Sequence, residues 1–125
     1  MIQQLTEEMI KAGGDLVRLL DSRRFLVRAA LWLYSSEKSE WRLVLATPEA
    51  RIEGPKRIYK RLQSALAKEG SSLPLSALTV VDTQDTLIQS LGSVMRVEGV
   101  GGNRFSRNTI SGRYIEDAYI YRLIL

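Results

Sequence analysis

The fifteen residues from Gly99 to Arg113 hold four glycines, three arginines, two asparagines, two serines and one aromatic, with no acid among them. That mixture suits an anion. Glycine lets backbone amides approach a phosphate, Arg104, Arg107 and Arg113 can each clamp one in a bidentate way, and Phe105 offers a stacking plate. Asn103 and Asn108 add side-chain amides, and Arg96 stands just upstream. Gly99-Val100-Gly101 opens like a dinucleotide fingerprint, but Arg104 occupies the place of its last glycine and no helical pattern follows. No Walker pattern is present. The plain alternative is a flexible connection between two strands, with glycines in turns and polar residues in water. A structureless stretch of this length is uncommon unless it is functional or disordered.

A second concentration of charge lies upstream. Residues 51–70 carry six basic and two acidic side chains, and the two flanking stretches are each balanced, so the whole net charge of +4 lies there. Helical spacing places Lys56, Arg57, Lys60, Arg61 and Lys68 on the arc opposite an apolar stripe of Ile58, Leu62, Ala65 and Leu66. Such an array attracts nucleic-acid phosphates through counterion release. A lysine-rich outer face also serves solubility alone.

The carboxylates suggest less. Asp82 and Asp85 flank a strand end and suit a helix cap. Glu116 and Asp117 are adjacent within a strand, so regular alternation sends them to opposite faces and denies them a common ligand. They are also placed to answer the arginines at 104, 107 and 113.

Two absences narrow the chemistry. The chain has no histidine, which removes the usual general base, proton shuttle and zinc ligand. It has no cysteine either, which excludes disulfides and thiolate chemistry and favours a reducing compartment. Glu7, Glu8, Lys11 and Asp15 interrupt the apolar core that a signal peptide needs, and the longest apolar run, Ala29 to Tyr34, is too short to cross a bilayer. The expectation is a cytoplasmic protein with no cofactor, no metal and no membrane segment.

Among the aromatics, Tyr34 and Trp41 lie at the mouth of an expected β-hairpin. Part exposure there would mark a protein interface, while cross-strand packing explains them without one.

These groups need elements to hold them. Ile2 to Asp21 reads as an amphipathic helix interrupted by Gly13-Gly14, where close packing, a bend or a second helix start is expected. Phe25–Tyr34 and Trp41–Thr47 read as strands, the first apolar on both faces and therefore central. Pro55 to Glu69 is a helix with Gly70 as its stop. Leu78–Asp82 is a short strand, which makes a strand–helix–strand unit with a parallel pair and a right-handed crossover. Thr83–Leu91 reads as a short helix, and Val94–Glu98 and Tyr114–Leu125 as the last two strands. The result is a single α+β domain over residues 1–125, of order α-β-β-α-β-α-β-β, with a mixed sheet of about five strands and helices packed on it.

No helix-turn-helix, RNA-recognition, zinc-finger or hydrolase pattern is present. The leading expectation is a non-catalytic accessory protein that binds nucleic acid or another polyanion. Two others stand beside it: a protein-interaction subunit or homodimer, and a histidine-free nuclease or ribonuclease-like toxin.

Overall fold

The computed structural model describes residues 4–125, and Ile2, the expected start of the first helix, lies outside them. Five strands form one mixed sheet in the order β3-β2-β1-β5-β4: β1 Ala29–Ser35, β2 Glu40–Ala46, β3 Leu78–Val81, β4 Asn103–Ile110 and β5 Arg113–Leu123. The α+β class, the mixed sheet and the element order follow the sequence expectation. A one-turn helix, α2 (Glu49–Glu53), was not expected; Gly54, at φ 84°, separates it from α3 (Pro55–Glu69).

The central strand divides two cores, as its two apolar faces require. Ala30 and Trp32 point to one side with Trp41, Leu43 and Leu45 of β2, under α3 and the long helix α1 (Glu7–Ser22). Ala29 and Leu31 point to the other with Val44 and Ala46, under the short helix α4 (Thr86–Gly92). The β2–β3 pair is parallel, from Leu43 opposite Leu78 to Ala46 opposite Val81.

Helix starts follow their local hydrogen bonds. Thr6 caps α1 by accepting from the Met9 N–H at 3.1 Å, and Glu7 and Glu8 occupy the first turn, where the helix dipole favours acids. Asp85 caps α4, accepting from the N–H groups of Leu87 and Ile88. That helix therefore begins at Thr86, three residues later than its sequence suggests. Asp82 is left to accept from Arg51 at 2.8 Å.

Gly13-Gly14 marks close packing. Helix α1 runs through both residues unbroken, and a Cβ on Gly13 would overlap the Tyr121 hydroxyl and stand 2.9 Å from Trp32 Nε1.

Strand β5 departs from regular alternation twice. Against β1 the register shifts between Ala30 and Leu31, so Ala30 faces Arg122 while Leu31 faces Ile120. The extra residue, Tyr121, turns toward α1, and Arg122 reaches Asp21 at the end of the same helix at 2.7 and 2.8 Å. Burying that guanidinium is tolerable because the carbonyls of Gly99 and Val27 accept two of its three remaining hydrogens. The second departure lies near the hairpin tip. Ile115 and Ala118 are three residues apart yet share the second core, which regular alternation forbids. Opposite them Arg107 has φ 51°, and the Arg107–Glu116 pair is missing from an otherwise continuous β4–β5 ladder.

The glycine-rich segment is thus largely strand. Residues 103–110 form β4 and pair with β5 through a turn at Ser111-Gly112, where a flexible connection was the plain expectation. Val94–Glu98, expected as a strand, contributes only an isolated bridge between Val97 and Leu123. Hairpin pairing with β5 makes a strand of these polar residues, including Asn103 and Asn108, while Gly99, Gly101 and Gly102 stay outside it and Gly112 lies in the turn.

Candidate functional site

Helix α3 buries Ile58, Leu62, Ala65 and Leu66 against the first core, so its opposite side faces water. Lys56, Arg57, Lys60 and Lys68 are exposed there, and among the described residues none forms an ion pair. Arg61 behaves differently from its neighbours. It donates to Glu49 at 2.8 Å and to Glu53, and its guanidinium lies 4.4 Å from the Phe25 ring centroid. Its assignment to the open arc is corrected: helical spacing gave its row, but α2, which the sequence did not reveal, supplies the acids that hold it.

The Arg61 contacts perturb both partners. Burial alone would raise the Glu49 carboxyl. The hydrogen bonds from Arg61 and from the Leu26 N–H overcome this and hold it below the usual carboxylate range. The hydrogen bond to Glu49, against some desolvation, raises Arg61 above its ordinary value.

One contributor to this surface was missed. Arg23, at the C-terminal cap of α1, lines a shallow pocket of about 250 Å³ with Arg61 and Ser64. Residues 57, 61, 64 and 68 form one row on a helix, so Arg23 adds a charge beside Arg57 and Lys68. It too makes no ion pair among the described residues, and Arg24 follows it, exposed, at φ 60°. The only sequence signal was a pair of arginines after a helix.

The second expected site lies elsewhere. Helix α3 connects β2 to β3 at one edge of the sheet, and β4 is the other edge, four strand spacings or about 19 Å away. The basic helix and the arginine-rich segment therefore do not form one surface.

Within that segment the residues divide. Asn103, Arg107, Asn108 and Arg113 are exposed. Arg104 is exposed as well, but it is bound to Asp117 through Nε and a terminal nitrogen at 2.7 and 2.5 Å, with its guanidinium 5.6 Å from the Trp41 ring centroid. Its hydrogen bond to Asp117, against some desolvation, raises its pKa. Phe105 packs half-buried on the second core, so it is no open stacking plate. Arg96 pairs with Glu98 at 3.3 Å.

The aromatics also differ from expectation. Tyr34 and Trp41 face each other across the hairpin with ring centroids 5.4 Å apart. Trp41 is only 7 % exposed, because α1 and the Arg104 guanidinium cover it, so it offers little interface by itself. Beside the pair lies a cleft of about 530 Å³ whose walls include Leu5, Arg104, Ser106 and Arg107. Glu116 and Asp117 both line it, contrary to strict alternation, because the ladder break at Arg107 rotates this part of the strand.

Among the described residues no helix is long and apolar enough to cross a membrane, and no three carboxylates gather as a metal cage. Comparison with protein families, with curated proteins and with solved structures returns no match for this chain.

Proposed function

We propose that the chain is a non-catalytic binding protein that holds a polyanion, foremost the phosphate backbone of a nucleic acid, on the outer face of α3. One observation carries the reading: the fold brings Arg23 from the end of α1 beside Arg61 and Ser64, in the α3 row that also holds Arg57 and Lys68, and among the described residues Arg23, Arg57 and Lys68 have no acid partner. A surface of this kind gains affinity by releasing counterions, without needing a shaped pocket. The carboxylates support a binder over a hydrolase. Asp85 is spent on a helix cap, while Asp82 and Asp117 are engaged by arginines. The cysteine-free composition supports a reducing, cytoplasmic setting.

Fluorescence anisotropy with duplex DNA and with RNA, over a series of salt concentrations, tests this. The triple variant Lys56→Ala, Arg57→Ala, Lys60→Ala should weaken binding across all sequences and lower the slope of log K against log salt by about 3. Absence of binding at low salt, or a slope unchanged in the variant, ends the proposal.

A further inference from the structure

We infer that the cleft beside Tyr34 and Trp41 binds a small zwitterion, a free α-amino acid with an apolar side chain. The site is separate from the α3 face and does not depend on nucleic-acid binding. At about 530 Å³ the cleft falls in the size range of small-molecule sites, and it joins an apolar part to a few polar groups, as such sites do. Tyr34 of β1 and Leu5, just before α1, supply the apolar part.

Charge selects the ligand. Four charged side chains line the cleft, two of each sign. Arg104 and Asp117 satisfy each other through two hydrogen bonds. Arg107 and Glu116 do not. They fall at facing positions of β4 and β5, yet neither forms an ion pair among the described residues. The ladder breaks at this pair, where Arg107 has φ 51°. The cleft therefore offers one uncommitted cation and one uncommitted anion. A ligand of either net charge would leave one of them unanswered, whereas a zwitterion answers both.

The order of the strands suits the same molecule. Tyr34 on β1 and Arg107 on β4 lie two strand spacings apart, about 9.6 Å, with Glu116 on β5 between them. An amino acid lying across β5 would rest its side chain on Tyr34 and Leu5 and give its ammonium to Glu116. Its carboxylate would take the fork of the Arg107 guanidinium. The Ser106 hydroxyl also lines the cleft and can serve either charged group.

Leucine titrated into the ¹⁵N-labelled protein at neutral pH should shift the amide resonances of residues 104–107, 116 and 117. Three analogues each remove one feature: N-acetyl-leucine lacks the ammonium, leucinamide lacks the carboxylate, and glycine lacks the apolar side chain. Each charge-deleted analogue should bind about tenfold more weakly than leucine, and glycine should also bind more weakly. Glu116→Gln should weaken leucine about tenfold and leave N-acetyl-leucine unchanged. Arg107→Gly, which suits φ 51°, should weaken leucine and N-acetyl-leucine but not leucinamide. The analogue series needs no variant, so it decides the matter even if a substitution disturbs the fold. No shift with leucine, or equal binding of leucine and N-acetyl-leucine, overturns the inference. A Glu116→Gln protein that binds leucine like wild type also overturns it, since Glu116 then holds no ammonium.

Discussion

Trp32 Nε1 donates a hydrogen bond to the Tyr121 hydroxyl at 3.0 Å, joining residues 89 apart in the chain. The indole also donates to the Met9 carbonyl at 3.2 Å, and the phenol donates to the Ile10 carbonyl. The central strand pair is thus tied to the backbone of α1 where Gly13 lets it come close. Elsewhere in a helix, glycine to alanine gains about 1 kcal/mol. Here the added methyl would overlap the phenol, so Gly13→Ala should destabilise by about 1–3 kcal/mol. Tyr121→Phe alone should cost about 1 kcal/mol, and in that background the glycine substitution should cost less. Urea unfolding of the four proteins gives the cycle. A stabilised Gly13→Ala would contradict the packing account.

The same phenol predicts behaviour at high pH. Burial raises the Tyr121 pKa well above its ordinary 10.0, outweighing the hydrogen bond from Trp32. The neutral form is therefore favoured in the folded protein. Its contribution is complete below pH 10 and declines above it, as the unfolded chain ionises first. Urea midpoints compared between pH 8 and 11 should fall more steeply for wild type than for Tyr121→Phe. Parallel curves would show that the phenol is not excluded from water.

A third prediction concerns acid. The Glu49 carboxyl lies below its ordinary 4.5 in the folded state, so its contribution is complete above that value and lost as pH falls through the lower folded one. Glu49→Gln should be less stable than wild type at neutral pH, and the difference should shrink below pH 4.5. Thermal melts at neutral and acidic pH measure it. A gap that stays constant, or widens in acid, would remove Arg61 as the cause.

How much of this was legible in the sequence depends on whether the signal was local. Pro55 and Gly70 bracket α3 by local conformation, so its bounds could be read directly. The two apolar faces of β1 reported its central place for a similar reason. Strand β4 was hidden because its residues are polar on an open edge and it is a strand only through its pairing with β5. The shared cleft of Glu116 and Asp117 was hidden more deeply. It depends on a left-handed backbone at Arg107, and arginine gives no hint of one.

Arg23 and Arg61 separate charge from structure on the proposed binding surface, although both line the same shallow pocket. Arg23 has no ion partner among the described residues, so Arg23→Ala should leave the melting temperature nearly unchanged while weakening nucleic-acid binding. One lost phosphate contact should lower the salt slope by about 0.9. Arg61→Ala should do the reverse. It strips Glu49 and Glu53 of their common partner and uncovers Phe25, so stability should fall while the slope changes little. Melting curves and salt titrations of the two variants test both halves. If Arg61→Ala removed more of the salt slope than Arg23→Ala, the binding surface would centre on the α2–α3 junction instead of the outer face of α3.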